Sequence, residues 1–164
     1  MFVVRLVSLV KGGLLALLAV LTFAQNRLWT DEVRLWQNAV QFAPVKPRPY
    51  INLGRALEAV GNDRGAFVAY QRAVDLSDVH RQDSLMWAFA HAAAQTNLAH
   101  LYAKHGQPAV SLYLLDGVLR EQPFFTTALY NKSAVLARMG QCEQAIVQWS
   151  LATSIDPTLP GRPC

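Results

Sequence analysis

Gly106 and Gly140 stand 34 residues apart, and a similar setting of small and apolar residues surrounds both. Leu98-Ala99, Tyr102, Gly106, Ser111, Leu115, Val118 and Pro123 form one copy of the pattern. Ser133, Leu136, Gly140, Ala145, Trp149, Ala152 and Pro157 form the next. An earlier copy reads Leu53-Gly54, Leu57, Gly61, Ala66, Tyr70 and Ala73. Self-similarity at such a period predicts stacked supersecondary units with no single closed core. The spacing has a physical reading. Two antiparallel helices approach closely only where their side chains are small at the crossing. Gly54, Ala99 and Ser133 fall on the first helix of each pair, and Ala66, Ser111 and Ala145 on the second. Gly61, Gly106 and Gly140 fall where the first helix must end in a left-handed residue, which glycine adopts at little cost. Tyr70, Leu115 and Trp149 fill the space toward the next pair, and Pro123 and Pro157 stop the second helix. These small residues are packing devices and imply no chemistry.

The pattern resembles the tetratricopeptide (TPR) repeat, a helix-turn-helix unit of 34 residues. The match covers 47–80, 92–125 and 126–159. The resemblance implies an all-α fold, a short right-handed α-solenoid, and a concave groove lined by the first helices. There are departures from the family pattern. Asp78 stands where the first terminal proline would fall, and Lys132 where a leucine is usual. The insert "RQDSLMWAFAH", residues 81–91, separates the first two units. Ser84 is placed to cap a helix running from Leu85 to Lys104. Leu85, Met86, Trp87 and Phe89 then need a partner surface, either the preceding pair or a bound ligand. Upstream, residues 27–46 read as a degenerate half repeat with Trp36, Ala39 and Pro44 at the large, small and stop positions, followed by a proline-rich joint.

One asparagine per unit, Asn52, Asn97 and Asn131, stands just before Leu53, Leu98 and Lys132. A carboxamide donates to and accepts from a peptide backbone at once. The row is similar to the asparagine ladder of the protein O-GlcNAc transferases, and the resemblance implies a groove that grips an extended chain. Asparagine is also a common choice at this position in the family. The same face is expected to carry Arg48, Arg55, His100, Lys104, Tyr130 and Arg138 against the single acid Glu58. That balance favours a carboxylate, a phosphate or an acidic segment, or else serves solubility. The family's carboxylate-clamp pattern is not reproduced in full.

Composition is 52% hydrophobic and 16% charged, which points to a membrane segment. "LVSLVKGGLLALLAVLTFA", Leu6 to Ala24, would reach about 28 Å as a helix, enough to span if Lys11 snorkels. Residues 1–26 are therefore expected to be a transmembrane anchor touching inner-membrane lipid through residues 1–24. A cleaved signal peptide is the rival, with Thr22-Phe23-Ala24 as its processing site. Arg5 and Lys11 would hold the N-terminus inside, giving a single-pass protein with its C-terminal domain on the extracytoplasmic, periplasmic side.

The formal charge of +4 falls to about +2 beyond that segment, far below a nucleic-acid footprint. His80, His91, His100 and His105 never fall at the i, i+4 spacing of a helical metal pair, and no Cys-x-x-Cys occurs. No phosphate loop, nucleophile elbow or carboxylate pair is present, so no catalytic residue, metal, cofactor or small-molecule substrate is expected. Cys142 and Cys164 bracket the last helix and the tail, 160–164. Eight extended residues from Pro157 can return along a helix of about 20 Å, so a disulfide is reachable; two unrelated thiols are the alternative. Such a bond would fold the tail over Ile146 and Trp149 in place of a capping helix.

Two functions fit these readings. The first is a non-catalytic, membrane-anchored interaction module that holds a protein or peptide partner as scaffold or assembly factor. The second is an accessory subunit or detached tail of a polytopic membrane glycosyltransferase, whose repeat tails this arrangement resembles.

Overall fold

A computed structural model of the chain describes residues 13–15, 17–18, 20–21, 31–162 and 164. Among residues 31–162 seven helices follow one another: α1 Glu32–Phe42, α2 Pro47–Ala59, α3 Asp63–Asp78, α4 Leu85–Lys104, α5 Pro108–Glu121, α6 Thr126–Arg138 and α7 Cys142–Ile155. The described residues among 13–21 are helical as well.

The turns inside each pair follow from their glycines. Gly61, Gly106 and Gly140 have φ of 78°, 74° and 77°, where a side chain is strained. Each lies in a Schellman cap: the Gly61 N–H donates to Glu58 O and the Asn62 N–H reaches back to Leu57 O at 2.8 Å. The same pair of bonds recurs at Gly106 and Gln107, and at Gly140 and Gln141. Three starts are also local. Pro47 and Pro108 open α2 and α5, where a missing N–H costs nothing, and Asn62 caps α3 by accepting from the Gly65 N–H at 3.0 Å. Ser84 occupies the N-cap of α4, but its side chain makes no capping bond.

Small meets large at each crossing. Gly54 of α2 lies against Tyr70 of α3, and a Cβ there would enter the Tyr70 ring. Ala66, Ser111 and Ala145 are fully buried at the equivalent places on α3, α5 and α7. The core continues through the stack. Ile51, Ala73, Ala90 and Ala94 join the first pair to α4. Tyr70, Ala66, Leu98 and Leu101 form the next layer, and Leu115, Val118, Ala99, Ala128 and Val135 the last. The alanine run of α4 lets its neighbours approach on several sides. Full burial of a side chain such as Leu115 contributes about 2–3 kcal/mol.

Adjacent helices pack on each other along the chain, and α4 also touches both α2 and α6. The second helices α3, α5 and α7 do not touch one another. The first helices therefore form the inner side of a curved stack, and the second helices diverge on the outside.

The membrane reading is corrected. Among the described residues no helix is long and apolar enough to cross a membrane. The transmembrane helix, the lipid contact and the single-pass extracytoplasmic placement are withdrawn. Most of the segment on which they rested, 1–12 and 22–26, lies outside the described residues. The physical reason is visible in Lys11-Gly12-Gly13, which divides the apolar run. Each glycine weakens a helix by about 1 kcal/mol, and a buried lysine costs up to about 3. The remainder, Leu14 to Ala24, would reach only about 16 Å against a core of about 30 Å.

Candidate functional site

A cleft of about 880 Å³ opens on the inner side of the stack, between the start of α2, the first half of α4 and the start of α6. Its α2 wall carries Lys46, Arg48, Asn52 and Arg55. Its α4 wall carries Met86, Trp87, Phe89 and Asn97, and Phe125 and Thr127 close the far end. No aspartate or glutamate lines it. Among the described residues, Lys46, Arg48 and Arg55 form no ion pair.

The insert before the second repeat builds the aromatic wall. Trp87 packs on the His80 ring at 4.9 Å, and Lys46 Nζ sits 5.6 Å from the Trp87 ring centre. Phe89 leans edge-on toward Phe125 at 5.4 Å. Gln122 Nε2 donates to Ala88 O at 2.9 Å and holds this extension of α4 to the next unit. Met86 and Phe89 nevertheless remain 68% and 61% exposed. The insert thus divides: Trp87 packs against His80 at the end of the preceding pair, and Met86 and Phe89 stay largely exposed.

The site residues expected from sequence divide. Asn52, Asn97, Arg48 and Arg55 come together on the cleft. Asn131, Tyr130 and Arg138 lie on α6 outside its lining. His100 and Lys104 also lie outside it, and each has a partner. His100 Nε2 is 3.2 Å from Glu58, whose other oxygen accepts from the Tyr70 hydroxyl at 3.0 Å. Burial, reinforced by Glu58, pushes the Tyr70 hydroxyl far above the ordinary phenol range. Lys104 Nζ is 2.7 Å from Asp63 and His105 Nε2 is 2.9 Å from it. The Lys104 hydrogen bond holds the Asp63 carboxyl below the usual carboxylate range, and Asp63 raises Lys104 in turn. Met86 and Phe89 carry a signal in the apolar insert, residues 81–91, whose side chains need a partner surface; Lys46 and Phe125 lie outside the insert and carry no such signal.

Cys142 and Cys164 are joined as a disulfide with Cα atoms 5.9 Å apart, within the ordinary range. Trp149 Nε1 donates to Pro160 O at 3.1 Å, so the tail lies across the last helix. None of these residues lines the cleft.

One trio has the composition of a catalytic set. Ser77 Oγ lies 3.2 Å from His91 Nδ1, and His91 Nε2 lies 4.0 Å from Asp78. The geometry excludes nucleophilic use. Ser77 is fully buried and donates to Ala73 O at 2.6 Å, so no substrate reaches its oxygen. With that proton committed, Ser77 accepts from His91 Nδ1–H, and Nε2 is left buried without a hydrogen-bond partner. Burial pulls His91 below the ordinary histidine range despite the opposing pull of Asp78.

No protein-family model and no curated protein matches the chain. The solved structure "MamA RS-1 ArsTM double mutant" is similar to it, with a TM-score of 0.51 and 23% identity over 87% of this chain and 75% of that one. MamA is a TPR-type protein, and a likeness at this identity shows the fold alone: a TPR-like, all-helical stack. The resemblance to membrane glycosyltransferase tails finds no support in these comparisons.

Proposed function

We propose that the chain is a non-catalytic interaction module that holds an extended segment of a partner protein along its concave face, as a scaffold or assembly factor. One observation carries the reading. The cleft brings Asn52 and Asn97, from two successive first helices, onto one surface beside an exposed apolar wall. Carboxamides on one surface can pair with backbone groups of an extended chain, while the apolar wall receives its side chains. A TPR-like fold supports binding of a protein or peptide.

Selection from a random dodecapeptide library against the full chain tests the reading. Enriched peptides should bind the wild-type protein and weaken by about tenfold or more with Asn52→Ala/Asn97→Ala, as expected for the loss of two to four hydrogen bonds. Failure to enrich any peptide, or enriched peptides indifferent to both asparagines, would overturn it.

A further inference from the structure

We infer that the cleft selects an acidic extended segment in which one large apolar side chain stands between two carboxylates. This rests on the reading of the concave face as a peptide groove. Charge complementarity carries it first. Lys46, Arg48 and Arg55 line the cleft, no acid does, and among the described residues none of the three has an ion-pair partner. Their position is also unfavourable to the fold itself. Lys46 is the N-cap of α2 and Arg48 lies in its first turn, where the helix dipole is positive and no acidic residue offsets it. An incoming carboxylate relieves that repulsion and meets the dipole at once.

Spacing narrows the ligand. Arg48 and Arg55 lie seven residues apart on α2, two turns or about 10 Å. A single phosphate calls for donors that converge on one point; cations spread over two turns fit two separate carboxylates. An extended chain advances about 3.3 Å per residue and alternates its side chains, so two acids that both face α2 stand two residues apart, about 7 Å, and the long arginine side chains take up the difference. A residue between the acids therefore turns from α2 toward the opposite wall, where Met86, Phe89 and Phe125 offer an apolar surface.

The test is fluorescence anisotropy with the full chain and three labelled dodecapeptides. The first carries two aspartates two residues apart with phenylalanine between them. The second replaces the phenylalanine by alanine, and the third replaces the aspartates by lysine. The first peptide should bind at least about tenfold more tightly than either other. Arg48→Glu/Arg55→Glu should invert the charge preference, a result that unfolding cannot mimic. Phe89→Ala should erase the preference for phenylalanine over alanine and keep the preference for acid. Equal binding of all three peptides, weakened alike by Asn52→Ala/Asn97→Ala, overturns the selectivity and leaves the groove standing. Binding of none overturns the inference, and the groove falls with it only if the library selection also returns nothing.

Discussion

Along the edge of the concave face where α2 begins, Lys46 and Arg48 sit at the positive end of a helix with no carboxylate beside them, and Arg55 follows two turns on. Along the edge where α4 ends, Lys104 sits at the negative end of its helix and is held by Asp63, while His100 is held by Glu58. The residue types are alike and the helices are neighbours. At the second edge the cations complement the dipole and tie one repeat to the next, so the fold accounts for them. At the first edge Lys46 and Arg48 oppose the dipole and, like Arg55, have no ion-pair partner among the described residues, so ion pairing within the fold does not. The difference separates side chains that hold the stack together from those available to a ligand.

The comparison depends first on the crossing that sets both edges. Gly54→Ala should cost about 3 kcal/mol, because the new methyl has nowhere to go but the ring of Tyr70. Urea unfolding measures this; a cost below 1 kcal/mol would show that α2 and α3 are not in the contact described. At the far end of the stack, Cys142→Ser opens a loop closed across a separation of 22 residues. The loss should be up to about 3 kcal/mol by loop entropy, and binding at the cleft should not change. Altered peptide affinity in that variant would mean that the two ends of the stack are coupled.

Between the edges, His91 gives a dependence on pH with a defined sign. Asp78, Arg81 and Glu121 face it from α3, the following turn and α5, yet burial dominates and its folded pKa lies below 6.5. The unfolded chain therefore takes up the proton first as pH falls. Stability is full above about pH 6.5 and declines below it, until the folded protein also protonates. His91→Gln should flatten that decline in thermal melts between pH 7 and 5; an unchanged slope would place its origin elsewhere. At the paired edge, Lys104→Ala should lower the melting temperature by less than Gly54→Ala does, and leave peptide binding unaltered. Its deficit should be present at neutral pH and shrink as pH falls below about 4, where the unfolded Asp63 protonates first and the depressed folded carboxyl follows, so that the pair no longer stabilises the wild type.

Much of this architecture was legible in the residues. Gly61, Gly106 and Gly140 mark the turns because a left-handed residue is a local requirement. Gly54 against Tyr70 and the buried Ala66, Ser111 and Ala145 follow from a steric pattern that repeats. The fate of each cation was not legible. Lys104 and His100 meet Asp63 and Glu58 only because α4 packs on the preceding pair, over 40 residues away in the chain. Nor could the sequence decide how far Phe89 would stay exposed, because that depends on where Phe125 of the next unit stops. The apolar N-terminal run misleads for another reason: its total length is that of a span, while Lys11-Gly12-Gly13 divides it.

Arg48 tests the contrast between the two edges most directly. Removal of a cation from the first turn of α2 in favour of an anion should stabilise the helix by about 0.5–1 kcal/mol, a rise in melting temperature of roughly 1–4 °C. The same Arg48→Glu protein should bind the acidic, phenylalanine-bearing peptide more weakly. A higher melting temperature with weaker binding is the expected result; a lower melting temperature with unchanged binding would make Arg48 a structural residue and contradict the account.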